Sequence, residues 1–372
     1  MKNTRSAGLS KAFAAILISA VFILTVGMVA SGWGAAPEKE NSSDIGNNTE
    51  NADDLNGDTE NEDGTADNIS NSTNEETIPE FTYYLTGLEC ESAAANLLPT
   101  VFSIDPGAPL YAIDGSEMVI EIPTENGHTR MLVFKSDTSA LGKIGALAPT
   151  RDYMGALVKL FGGISVANGN DDLVNYSSIP STLAIDLKNY TDCVYRENGN
   201  NLYTDTNLLD SMLNEEGIDK VNYKSSFSPF KFADFGKEIV NNTAATKISI
   251  PYGNEATELT YDAISGKYLL SKGERAKIDL LSGKQLSYKN AFVLFADTTT
   301  YDRSYGTQLV VETAQKGTGY YFTNGTMQEI RWRVDGGELI FENLNGNTLT
   351  VNRGNSYIAY YRSSTSNEVT FS

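Results

Sequence analysis

The sequence predicts an α+β or α/β domain followed by a mainly antiparallel β domain, both delivered beyond a membrane by an N-terminal transmembrane helix. Three observations carry this. Residues 12–30 (AFAAILISAVFILTVGMVA) are almost wholly apolar. Segments with helical periodicity occur only in the first half of the globular region. Its second half is built from short strand-like runs separated by turn dipeptides. The implied organisation is an anchor or signal at 1–34, an acidic linker at 35–80, a mixed domain at 81–243 and a β-rich domain at 244–372.

About 20 apolar residues suffice to cross ~30 Å of hydrocarbon as a helix. Lys2, Arg5 and Lys11 precede the run and Trp33 comes after it, so the basic end is expected to stay inside, with residues 12–34 as the membrane contact. Cleavage among the small residues near Ala30 or Ala36 is the alternative, and it would release the remainder as a secreted protein. Either outcome exports the globular part. Residues 35–80 then hold fourteen acidic residues against Lys39 alone, with few large aliphatics. Such a segment buries too little apolar surface to offset its ordering entropy and reads as a disordered stalk. Within it, the run 54–60 mimics the start of a calcium loop but lacks the Gly and the bidentate Glu that loop requires.

From Phe81 onward, strands are expected at 100–104, 117–122, 128–135, 164–167 and 182–187. A helix is expected over 152–161, stopped by Gly162-Gly163. Another is expected over 207–216, capped by Thr204 or Asp205 and stopped by Gly217. Beyond about Lys247 the turn pairs Ser265-Gly266, Ser282-Gly283, Asn324-Gly325, Gly336-Gly337 and Asn345-Gly346 punctuate strands, with 329–333, 338–341, 348–351 and 357–361 reading as an antiparallel meander.

The formal charge of −20 argues against a nucleic-acid partner. One histidine and two cysteines exclude structural zinc sites of the four-ligand Cys/His type. No cofactor is expected: a Walker loop, a Gly-rich dinucleotide turn, a nucleophile elbow and a His-Glu-x-x-His helix are all missing. Outside a membrane, Cys90 and Cys193 could pair as a disulfide; the alternative is two unpaired thiols.

The most informative local feature is the hairpin around Asn126-Gly127. A two-residue turn there would pair Glu125 with His128, Pro123 with Arg130 and Glu121 with Leu132. Glu121, Glu125, His128 and Arg130 would then share one face. That patch could bind a charged group or do acid–base work, against the alternative of a solvated tip with ordinary ion pairs. Asp171-Asp172 after a strand, Asp279 and Asn290 around a hairpin, and the Tyr-rich strands at 320–321 and 357–361 are weaker candidates, the last as a carbohydrate or peptide platform.

Leu85-Thr86-Gly87-Leu88, the stretch MVIEIPTENGHTRMLVF at 118–134, Lys143-Ile144-Gly145 leading to Arg151-Asp152-Tyr153, and Asn201-Leu202-Tyr203-Thr204 occur in order. So do Tyr261-Asp262, Gly266-Lys267-Tyr268, Asp279, the run 283–287, Asn290, Asn324-Gly325, Trp332 and Gly346. The series resembles the YerB-like family of bacterial lipoproteins, which has an N-terminal and a C-terminal domain, both of unknown function. The resemblance implies that Glu125, Arg130, Arg151 and Asn201 occupy patterned positions. Three departures stand out. Ala148 replaces the first arginine of the family's Arg-Ser-Ala-Arg element. Gly199-Asn200 replaces a Pro-His pair. No lipobox cysteine comes after the apolar run. The expected role is binding of a cell-wall, polysaccharide or envelope-protein partner; the alternative is a carboxylate-dependent enzyme acting on an envelope polymer through Glu125 or Glu121.

Overall fold

A computed structural model describes residues 78–95, 97–169, 184–197, 199–220, 228–253, 255–303 and 306–372. The apolar run, the acidic linker and Asp171-Asp172 lie outside the described residues. Among the described residues, no helix is long and apolar enough to cross a membrane.

In the first half the strands are β1 (Thr100–Ile104), β2 (Met118–Pro123), β3 (Thr129–Lys135), β4 (Lys143–Leu147), β5 (Ile164–Ala167), β6 (Ala184–Asp186), β7 (Tyr195–Glu197), β8 (Asn201–Asp205) and β9 (Lys231–Phe232). Two helices stand among them, α1 (Asp152–Phe161) and α2 (Thr206–Glu215). The second half contributes β10 (Thr243–Ala244), β11 (Lys247–Tyr252), β12 (Glu255–Asp262), β13 (Lys267–Lys272), β14 (Arg275–Ala276), β15 (Ser287–Tyr288), β16 (Asn290–Ala296), β17 (Thr298–Arg303) and β18 (Gly306–Val311). It ends with β19 (Lys316–Thr323), β20 (Thr326–Asp335), β21 (Glu338–Asn343), β22 (Thr350–Val351), β23 (Ser356–Arg362) and β24 (Thr370–Phe371).

The fold is mainly β, with large antiparallel sheets in the C-terminal part. A 14-stranded sheet runs β10-β20-β19-β16-β23-β2-β3-β1-β4-β8-β7, with β21 on β20, β5 on β1 and β6 on β5. It passes straight through the boundary expected at 243/244, because β23 pairs in parallel with both β16 and β2 (Ala291 faces Tyr357, and Val119 faces the same residue). The expected meander therefore stops after β21: β22 pairs with β9, and β23 crosses to join the two halves. A six-stranded sheet of β14-β13-β12-β11-β24 with β15 forms a second layer.

Because both faces of the central sheet are covered, its middle strands are largely apolar rather than alternating. Every residue of β16 (NAFVLFA) is buried. On one face Met118, Ile120, Phe134, Phe292 and Trp332 form a core closed by Met154, Leu157 and Phe161 of α1. On the other, Val119, Val133 and Val293 pack against Ile248, Leu259 and Leu270 of the second sheet and Leu209 and Met212 of α2. Helix α1 ends at Gly162, whose φ of 66° few other residues adopt. The Asp205 side chain caps α2 by accepting from Leu208 N at 3.1 Å. The Leu85-Thr86-Gly87-Leu88 element is held by the far end of the chain. Arg353 Nη1 donates to Gly87 O, its Nε donates to Ala233 O at 2.9 Å, and Gly354 N donates to Thr86 O at 2.8 Å.

Cys90 and Cys193 are both free thiols, so the disulfide alternative is not the one seen.

Candidate functional site

The β2–β3 hairpin corrects the expected register. Its turn is a five-residue loop, not two residues: Thr124 N donates to His128 O at 2.8 Å around a single 3-10 turn at Glu125–Gly127. Asn126 at φ 59° and Gly127 at φ 71° occupy the left-handed region inside it. Pro123 therefore faces Thr129, Ile122 faces Arg130 and Glu121 faces Met131. Slipping β3 by one residue moves all its side chains to the opposite face. Glu121 and Arg130 consequently lie on opposite sides of the sheet, and the single charged patch expected from sequence divides in two.

Glu121, only 1% exposed, sits between the sheets. Its Oε1 accepts from Lys272 Nζ at 2.6 Å and Thr129 Oγ1 at 2.6 Å. Its Oε2 accepts from Thr257 Oγ1 at 2.7 Å and from Tyr357 OH. Burial would push this carboxyl up, but Lys272 and the hydroxyl donors outweigh it and hold the group below the usual carboxylate range. The carboxylate is saturated, and its surroundings hold no room for a ligand.

Glu125, at the hairpin tip, belongs to the second cluster. Arg151 grips it through both oxygens, Nη2 to Oε2 at 2.8 Å and Nε to Oε1 at 3.2 Å, while Leu309 N donates to Oε1 at 3.2 Å. Burial again raises the carboxyl, and the Arg151 fork and backbone donors overcome it, leaving Glu125 lowered and ionised at neutral pH. Arg151 precedes α1 and is buried, its Nη1 also donating to Thr150 O at 3.2 Å. Tyr153 OH donates to Pro123 O at 3.0 Å, which fixes α1 to the base of the hairpin tip. Arg130 lies within electrostatic reach of Glu125, Arg151 and Asp105, and its Nη1 donates to Thr129 O at 2.8 Å. Arg151→Ala should therefore let the Glu125 carboxyl rise, by loss of the guanidinium, in a carboxylate-resolved NMR titration; an unmoved titration would show that Arg151 does not set its charge.

Beside Glu125 opens a cleft of about 310 Å³. Its walls are residues 123–128, the turn at 251–253, Thr300, Thr307 and Leu309 of the β17–β18 ribbon, and Tyr361-Arg362. The two turns touch glycine to glycine: a Cβ on Gly253 would lie 2.7 Å from Gly127 Cα. Tyr252 and Tyr361 stand edge to face with ring centroids 5.6 Å apart. Their hydroxyls are tied down, Tyr252 OH to Tyr360 O at 2.7 Å and Tyr361 OH to Glu368 Oε2 at 2.7 Å. His128 and Arg362 are exposed at the rim.

Of the residues singled out from sequence, Glu125, Arg130 and Arg151 come together, with His128 on the cleft rim. Asn201, on β8, faces Glu197 of β7; β8 lies four strands from β2 and so about 19 Å across the sheet. The Tyr-rich strands are core rather than platform, with Tyr321, Tyr357, Tyr360 and Tyr361 buried. Asp279 organises a loop junction, accepting from the N–H groups of Asp114 and Leu281, both at 2.8 Å. Asn290 belongs to a buried network with Tyr321 and Asn352. Sequence reasoning missed Thr300, Thr307 and the 251–253 turn; Gly253, as a turn-forming residue, is the one signal in the sequence that could have drawn attention to any of them.

Residues 248–358, from β11 into β23, match the family described as "Protein of unknown function (DUF3048) C-terminal domain". The fold as a whole matches the crystal structure of the YerB protein from Bacillus subtilis at a TM-score of 0.65 and 18% sequence identity, covering 77% of this chain and 98% of that one. The chain is similar in fold to YerB, and its C-terminal part resembles the DUF3048 C-terminal domain. No curated protein matches the sequence. The YerB-like resemblance read from the ordered motifs holds, and the segment matched to the DUF3048 C-terminal domain supplies the 251–253 turn and the ribbon to the cleft, while Tyr361 and Arg362 lie just past its end.

Proposed function

We propose that this YerB-like chain is an extracytoplasmic binding module, tethered through residues 12–34, that holds an envelope polysaccharide in the cleft at the β2–β3 tip. The carrying observation is the cleft's construction. Four separate chain segments converge on it, and Glu125 is fixed there by Arg151 and the Leu309 amide. Its lining is mostly proline and tyrosine rings, threonine hydroxyls and the Asn126 amide, with His128 and Arg362 at the rim, and the one carboxylate has its charge taken up by Arg151. Such a surface suits a neutral, hydroxyl-rich chain better than a polyion. The carboxylate-enzyme alternative gains nothing from the geometry, since Glu121 is enclosed and Glu125 is held ionised by Arg151 rather than presented as an acid.

Calorimetric titration of soluble envelope glycan fragments into the full chain should give binding that Thr300→Arg weakens about tenfold or more, because the added side chain fills the cleft. Undiminished binding would remove the cleft from this reading. Recovery of the intact chain from cytosol, rather than from membranes with its globular part open to added protease, would overturn the address.

A further inference from the structure

Far from that cleft in sequence, three side chains that the binding role does not use converge on one another. Lys289 immediately precedes β16, and Asn324 opens the turn between β19 and β20; the strands are neighbours, with Asn290 facing Thr323. Lys289 Nζ donates to Asn324 Oδ1 at 2.8 Å. It also lies 2.9 Å from Glu238 Oε2. Asn324 Nδ2 donates to that same Oε2 at 2.6 Å. An amine, a carboxamide and a carboxylate thus each touch the other two.

The backbone holds the amine and the carboxamide there, while the Glu238 side chain reaches them from a 57% exposed position. Lys289 N donates to Asn355 Oδ1 at 3.1 Å, and Lys289 O accepts from Thr323 Oγ1 at 3.3 Å. Asn324 is fixed at φ 50°, and its Nδ2 also donates to Ile239 O at 3.0 Å. The Lys289 side chain is 16% exposed, packed so closely that a Cβ on Gly354 would meet its Cβ at 2.7 Å. Holding a nucleophile against its target in this way removes most of the entropic barrier to reaction.

We propose that Lys289 and Asn324 are the site of an intramolecular isopeptide bond, with Glu238 as the proton carrier. Glu238 takes a proton from the Lys289 ammonium, and the freed amine attacks Asn324 Cγ. A bond forms between Lys289 Nζ and Asn324 Cγ while the bond from Cγ to Nδ2 breaks. The carboxylic acid returns its proton to the departing nitrogen, and the second proton shed by the attacking nitrogen converts the liberated ammonia to ammonium. One ammonium and one carboxamide give one secondary amide and one ammonium ion, with no change of oxidation state. Distances of 2.6 and 2.9 Å place Glu238 within reach of both the proton it takes and the group it must protonate. Because the step needs a neutral amine, its rate should rise with pH.

The test is intact-mass measurement of the full chain, folded and incubated at alkaline pH, followed by tryptic peptide mapping. The expected result is a mass lower by one ammonia and a branched peptide joining positions 289 and 324. Both should be lost in Lys289→Arg and in Glu238→Gln. Asn324→Gly, which tolerates the turn's positive φ, should also lose both while keeping the melting temperature of an uncrosslinked chain. An unchanged mass would overturn the proposal. So would ammonia loss that persists in Lys289→Arg, because Gly325 N can attack Asn324 Cγ to give a succinimide of the same mass.

Discussion

Lys272→Met should reduce unfolding free energy by about 3–5 kcal/mol, the range for removing one partner of a buried pair. Glu121 would then keep its carboxyl in the interface between the two sheets with only hydroxyl donors around it. Lys272 Nζ currently lies 2.6 Å from Glu121 Oε1 and 2.8 Å from Thr129 Oγ1, and it faces the Tyr252 ring at 5.6 Å. Replacing Glu121 with Leu in the same chain should restore much of the loss, since an apolar pair of similar volume leaves no charge uncompensated. The pH dependence has a definite sign. Glu121 in the folded protein is lowered from its ordinary 4.5, so its stabilising contribution is present above that pH and is lost as pH falls through the lower folded value. In Lys272→Met, burial without the ammonium pushes the carboxyl up instead, so the deficit relative to wild type should shrink on acidification. Chemical denaturation of both proteins across that range checks it; a single-variant loss under ~1 kcal/mol would reduce the pair to an ordinary surface contact.

Gly253→Ala is the second large effect, expected to cost about 2–5 kcal/mol and to open the cleft. Two terms add. Gly253 sits at φ 63°, where a Cβ introduces strain of roughly 1–2 kcal/mol. The new Cβ would also lie 2.7 Å from Gly127 Cα and 3.2 Å from Gly127 O, backbone atoms that cannot rotate aside. Forcing such a contact typically costs about 1–3 kcal/mol. The hairpin tip must therefore withdraw, carrying Glu125 away from Leu309. Melting and glycan titration should both weaken, whereas Gly273→Ala, at φ 58° with no atom within 4 Å, should show the backbone strain alone. Equal losses in the two variants would mean that the glycine-to-glycine contact contributes nothing.

Local elements were legible because local chemistry sets them. The periodic run DYMGALVKLF stops at Gly162, and α1 spans those ten residues. Asp205 caps α2 as its position before the apolar run suggests. What failed was geometry that depends on a single residue or on distant partners. Asn126-Gly127 reads as a two-residue turn, but the backbone pairs Thr124 with His128 instead, and that slip alone separates Glu121 from Arg130. Glu125 and Arg151 could be named without showing that they grip each other. The Thr300 and Leu309 walls were invisible, since nothing in a threonine-rich run tells which tip it will touch. Asn324-Gly325 was read only as a turn, because its partners Lys289 and Glu238 stand 35 and 86 positions away.

The insertion of β23 between β16 and β2 has a consequence for how the two halves can exist. A chain severed near 243/244 would present β2 on one fragment and β23 on the other as unpaired, largely apolar edges, each inviting the nearest stranger to complete it. Each half thus leaves the other's sheet one ribbon short, and the pair closes its hydrogen-bonding only as a single chain.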